Sequence, residues 1–294
     1  MTGLLDEHEF SLCLTHDVDR PYKTFQAPYY ALQERNPSHL RSLISSERPY
    51  WQFEELMALE DELGVRSSFY FLNEKRLVRD KGPREWLRPE NWMLFTGRYR
   101  IEDEEIANVI RTLDRGGWEV GIHGSYESYD DRDRLRYEKE TLENVLGGEI
   151  HGGRQHYLRL ERPTTWEHYR SIGLKYDATL GSNDGYGFNG QYDVVRPFDD
   201  EFVVFPLTIM ERPLLDSASS TDAAWRECER ILSEAAANDA IMTVLWHPRY
   251  FNENEFPGYR HLYERLIETA QSMGAWVGSC SECYERLELD KPIQ

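Results

Sequence analysis

Short apolar runs alternate with segments of helical period through most of this chain, and few folds accept that order. Phe10–Leu14, Val65–Leu72, Trp118–Ile122 and Ile241–Leu245 read as buried strands. Between them, Phe53–Leu63, Ile106–Leu113 and Trp225–Ala235 carry apolar residues at helical spacing, with Gly64 and Gly116-Gly117 as stops. Strands separated by helices imply a parallel sheet with helices packed outside it. Phe202–Ile209 is expected as one strand, at an edge or with a bulge because of Pro206, and Ala275–Val277 as the last. No repeat, low-complexity tract or linker divides the 294 residues, so the chain reads as one domain, 1–294, with its core at about 9–288. About seven strand–helix units in one domain favour a barrel over an open sheet.

Several of these runs end on residues that carry chemistry. Thr15-His-Asp-Val-Asp19 follows the first, His123 ends the third, Arg154 and His156 mark another strand tip, and His247 follows a late one. In a parallel barrel those tips share one rim, so residues far apart in sequence meet. Asp and His together suit zinc or another divalent cation with a position left open for water. Such a cation lowers the pKa of bound water toward ~7. A second carboxylate can then take a proton, and a separate His can protonate a leaving group. Arg154 can hold a catalytic carboxylate in place and ionised. Each residue also has a plainer reading: a turn or helix cap for the aspartates, a hydrogen-bonded structural role for a lone His, a surface ion pair for Arg154.

Charge excludes some functions. The chain has 53 acidic against 34 basic residues, a net charge of −19, and the basic residues are 28 Arg but only 6 Lys. This surface repels nucleic acid and anionic membranes, and it has the character of proteins that work in concentrated salt, where screening removes self-repulsion. No apolar run approaches the ~18 residues of a membrane span, and the acidic start Met1–Glu9 is unlike a signal peptide, so a cytoplasmic location is expected. Of four cysteines, Cys13 and Cys228 read as core filler; Cys280-x-x-Cys283 lacks the second pair that a zinc site needs.

The chain resembles the polysaccharide deacetylases of NodB homology over about residues 9–288. Thr15-His-Asp-Val-Asp19 is similar to that family's opening Thr-Phe-Asp-Asp motif, in the His-Asp-Val-Asp form of a divergent branch. Ser67–Phe71 resembles its second strand, Trp118–His123 the strand bearing its first metal histidine, Arg154 its third-motif arginine, and Leu245-Trp-His247 its late Leu-x-His. The resemblance implies a distorted (β/α) barrel and a divalent metal, zinc in the first place. It also implies removal of acetyl groups from an N- or O-acetylated sugar or glycan precursor. The roles implied are Asp17 as general base, Arg154 as its partner, His247 as general acid, and Asp19 and His123 as metal ligands. The family's second motif has another His four residues after the first, where this chain has Glu127. Either Glu127 or His156 completes the site; His156 is preferred because it lies on the implicated rim and restores an Asp-His-His set. The fourth motif is poorly matched, with Asp177 as its candidate.

Two other functions fit the same residues. One is a non-catalytic carbohydrate-binding relative with a degraded metal site, suggested by the altered second motif. The other is a metal-dependent hydrolase of a non-sugar amide. The aromatic stretches Tyr22–Tyr30, Tyr126–Tyr129 and Trp246–Phe251 offer faces for sugar rings, and Arg159 or Arg249 a contact for an acidic sugar or phosphate.

Overall fold

The computed structural model describes residues 7–23, 26–33, 35, 37, 40 and 48–289. The strands are β1 (Ser11–Val18), β2 (Ser68–Leu72), β3 (Glu119–Gly124), β4 (Gly152–Gln155), β5 (Tyr176–Asp177), β6 (Val203–Val204), β7 (Leu207–Met210), β8 (Ile241–Leu245) and β9 (Trp276–Gly278). The helices are α1 (Gln26–Gln33), α2 (Phe53–Leu63), α3 (Leu77–Asp80), α4 (Pro89–Phe95), α5 (Glu104–Arg115), α6 (Arg132–Leu146), α7 (Thr164–Ser171), α8 (Glu211–Ser217), α9 (Thr221–Ala237), α10 (Tyr259–Ser272) and α11 (Cys280–Leu289).

The sheet runs β6-β5-β4-β3-β2-β1-β8-β7, with β9 also on β1, and these ladders are parallel. Its two outermost strands, β6 and β7, are separated in the chain only by Phe205 and Pro206. That link spans at most about 11 Å, so the sheet must curl until its edges nearly meet. Pro206 has no N–H with which to continue a ladder, and it divides the stretch 202–209, expected as one strand, in two. The result is a distorted, incompletely closed barrel.

Curling gives each strand an inner and an outer face. All of β1 is buried. Leu12 and Leu14 join the apolar layer under the helices, whereas Cys13 joins an inner cluster with Tyr70, Tyr176, Phe205 and Cys280. By the same alternation Asp17 faces inward and His16 outward.

The helices follow from their sequences. α5 buries Ile106, Val109, Ile110 and Leu113 along one face. α2 stops at Gly64, whose φ of 67° is a conformation glycine adopts without steric cost. α9 starts at Ser220, whose side chain accepts from Ala223 N. The loop expected after β1 contains α1, while Phe25 lies outside the described residues. All four cysteines are buried free thiols. No described helix is long and apolar enough to cross a membrane. At Gly153 a Cβ would lie 1.9 Å from Ile122 O, so only glycine allows β3 and β4 to come this close. Their register sets His123 opposite Arg154.

Candidate metal and catalytic centre

Strands that run the same way end on the same rim, and the residues singled out above meet there. Asp19 follows β1, His123 lies in β3, and His156 follows β4. Asp19 Oδ1 is 3.2 Å from His123 Nε2 and 3.3 Å from His156 Nε2. All three ligand atoms lie within 4.8 Å of one another.

The other ring nitrogens are engaged. His123 Nδ1 donates to Arg154 O at 2.9 Å, and His156 Nδ1 lies 3.3 Å from Glu74 Oε2. Buried Glu74 is itself fixed by backbone N–H groups of Lys75 and Tyr126, at 2.9 Å each. With protons on Nδ1, both Nε2 lone pairs face a carboxylate oxygen that is buried and makes no hydrogen bond among the described residues. That convergence is repulsive unless something positive sits within it. Ligands about 2.1 Å from a tetrahedral cation lie about 3.4 Å apart, close to the spacing seen here.

The electrostatics agree. Burial opposes charge on Asp19, but His156, His123 and His247 hold its carboxyl well below the usual range. Burial pushes His156 down to about 4, so its imidazole stays neutral, as a ligand must be. Burial also opposes charge on His123, yet Asp17 and Asp19 raise it, so a proton competes with a cation for its Nε2.

Asp17 and His247 flank this cluster. Asp17 Oδ1 accepts from Arg154 Nη1 at 2.9 Å; the same nitrogen reaches Thr15 Oγ1, and Arg154 Nε donates to Ala178 O. Burial works against the charge on Asp17, but the guanidinium of Arg154 holds its carboxyl below the usual range. His247 Nε2 is 3.6 Å from Asp19 Oδ2, and its Nδ1 is 2.7 Å from Oε1 of Glu211, a fully buried residue opening α8. Burial lowers His247, and Glu211 more than compensates, leaving its pKa raised.

Other candidates lie elsewhere. Glu127 is tied to Lys75 and Lys81 and stays outside the ligand cluster. Asp177 accepts from Trp166 Nε1 and from the Thr179 hydroxyl, away from the cleft, and burial raises it to about 6. Arg159 stacks on Tyr126 and Tyr129 and donates to Tyr126 O. Arg249 lines the cleft. Glu74 and Glu211 escaped the sequence reading. The available signal was a carboxylate just beyond the end of an apolar run, in the case of Glu74 inside the charged stretch 73–100.

The cluster forms the floor of a cleft of about 590 Å³. At its side Tyr157 and Leu158 take left-handed φ values of 58° and 52° directly after His156. Each such residue costs about 1–2 kcal/mol, and the turn leaves the Tyr157 ring 54% exposed on the cleft wall.

No family model matches the chain, and no curated protein does. Solved structures do. A Mycobacterium smegmatis protein assigned to the polysaccharide deacetylases superposes with a TM-score of 0.62 at 19% identity, over 97% of this chain and 92% of that one. An allantoinase superposes at 0.63 with 12% identity, over 98% and 93%. A Bacillus anthracis protein described as a CE4 family pseudoenzyme gives 0.51 at 11% identity, over 94% and 66%.

Proposed function

From the premise that this chain has the polysaccharide deacetylase fold, we propose that it is a metal-dependent hydrolase that removes an acetyl group from a sugar or glycan precursor. The observation that carries the reading is the convergence of Asp19 Oδ1, His123 Nε2 and His156 Nε2, a donor-free trio at the spacing of tetrahedral ligands. Fold alone does not carry activity, since a pseudoenzyme has it too; an intact ligand trio with an acid and a base beside it is what favours catalysis.

A divalent cation there supplies Lewis acidity and a water of lowered pKa. Asp17, kept ionised by Arg154, takes the proton of the water that attacks the acetyl carbonyl. Arg154 also fixes the direction of that carboxylate through Thr15 Oγ1 and Ala178 O. His247, whose pKa Glu211 raises by facing its Nδ1, gives the Nε2 proton to the amine nitrogen as the C–N bond breaks. The products are acetate and a free amine. Tyr157 supports the sugar ring.

The direct test is acetate release from N-acetylated sugars by metal-loaded protein, beside acetylated and formylated non-sugar amides. Release from the sugars is expected; cleavage confined to the non-sugar amides would move the reading to an amidohydrolase. Sugar binding with neither metal nor turnover would leave a binding protein.

The acid assignment has its own signature. A His whose pKa is raised by a carboxylate donates a proton until the pH climbs past that pKa, so activity falls on the alkaline side. Glu211→Gln removes the charge that raises His247. The alkaline limb of kcat against pH is therefore expected to shift to lower pH, with a loss of about 10²-fold or more above it. An unmoved limb would remove His247 as the acid.

A further inference from the structure

Asp177 is a fully buried carboxylate that takes no part in the chemistry proposed above. Burying a charge is costly unless donors converge on it, and three do. Trp166 Nε1 donates to Oδ2 at 2.9 Å, while the backbone N–H of Thr179, at 3.1 Å, and its hydroxyl both donate to Oδ1. A side chain that meets donors on both oxygens must be an acceptor throughout, which an ionised carboxylate is and an amide is not.

The next contacts lead to the catalytic rim. A hydroxyl has one proton, and Thr179 gives it to Asp177, which leaves an oxygen lone pair for the N–H of Gln155 at 2.9 Å. Gln155 stands between Arg154 and His156. Between Asp177 and Thr179, Ala178 N donates to Gly153 O, and Ala178 O accepts from Arg154 Nε, both at 2.8 Å. Residues 177–179 therefore hold the backbone on either side of Arg154 as well as its guanidinium. Arg154 in turn donates to Asp17 at 2.9 Å. Arg154, Gln155, Ala178 and Thr179 are fully buried, so none of these contacts is made at the surface.

We infer that Asp177 is a positioning residue for the reaction: by ordering Thr179 and Ala178 it aims the Arg154 guanidinium, and through it the Asp17 carboxylate. The effect on rate rests on the deacetylase reading, whereas the aiming of Arg154 does not.

Two substitutions break the chain at different links. Asp177→Asn sets an amide NH2 against donors on one side, and Thr179→Val removes the hydroxyl while keeping the outline of the side chain. In metal-loaded protein each is expected to lower kcat for acetate release by about 10- to 100-fold, the scale of an ångström-sized misplacement, with KM and bound metal within about twofold of the parent. In an Arg154→Lys background the same substitutions should cost less than about threefold more, because the group they act through is already gone. A carboxylate that serves only the fold repeats its full loss there, and that result overturns the inference. A loss confined to KM or to metal content overturns it too. Exchange of the Arg154 Nε–H with solvent, followed by NMR and assigned by its absence from Arg154→Lys, needs no turnover. It is expected to quicken by about tenfold or more in either variant that folds, beyond any change in Leu232→Ala, a core substitution on α9 that lowers Tm without touching the chain of contacts. If the parent releases no acetate, the deacetylase reading fails and this signal decides alone. Quicker exchange upholds the aiming of Arg154, and exchange no faster than in Leu232→Ala overturns it.

Discussion

Asp19→Ala is expected to take the protein from about one tightly held divalent ion per chain to none, and to lower acetate release by about a thousandfold or more. The substitution removes the one oxygen that both imidazoles face, at 3.2 and 3.3 Å, and leaves two nitrogen ligands, too few for tight binding. His123→Ala and His156→Ala should do the same, because each Nε2 has a single direction in which to ligate. Glu127→Ala should leave metal content unchanged, since that carboxylate is occupied by two lysines. Elemental analysis after dialysis, paired with an acetate assay, reads all four. Metal retained by His156→Ala but lost by Glu127→Ala would reverse the ligand assignment. Glu74→Gln belongs to the same series with a smaller effect, about 10- to 100-fold in metal affinity, because Glu74 aims the His156 ring without touching the ion.

Glu60→Ala should be the most damaging change outside the cleft. Glu60 is fully buried on α2. Its Oε1 accepts from Tyr263 at 2.7 Å and lies 2.9 Å from His16 Nε2; its Oε2 accepts from Ser67 at 2.8 Å and Trp118 at 2.6 Å. Removing one carboxylate therefore strands several buried polar groups, at a cost of about 3–5 kcal/mol. For a domain of this size that is a fall in Tm of roughly 10 °C, measurable by calorimetry. The effect should reach activity as well. His16 adjoins Asp17, and its Nδ1 contacts the carbonyl of Trp246, which adjoins His247, so the clamp holds Asp17 and His247 in register from behind. A Tm within a degree or two of the parent would show that the network contributes little.

The convergence of polar residues on one rim was largely legible in the sequence. Asp17, Asp19, His123, Arg154, His156 and His247 are polar residues at the ends of apolar runs, and in a parallel sheet every such end lies on one side. That argument needs only direction, which alternation of helix and strand supplies. It weakens where direction is not enough. Glu211 was passed over because the run 202–209 reads as one strand, whereas Pro206 splits it and the second half ends at Met210, directly before Glu211. Glu74 was passed over because residues 73–100 show no period; they fold into the short helices α3 and α4 and a loop, held by tertiary contacts that sequence spacing does not encode. His16 illustrates the converse. Its place between Thr15 and Asp17 suggests the site, yet the two-residue period of a strand turns it to the opposite face, into the Glu60 clamp.

The scattering of the three ligands has a thermodynamic consequence. A pair of histidines four residues apart on one turn can begin to chelate while a chain is still largely unfolded. Here positions 19, 123 and 156 are brought together only when β1, β3 and β4 are aligned, so affinity for the ion is vested almost wholly in the native state. By mass action the metal then shifts the folding equilibrium with little offset from binding to the unfolded chain. A cation bound there would tie three strands together, so a chelator is expected to lower the Tm as well as to abolish acetate release.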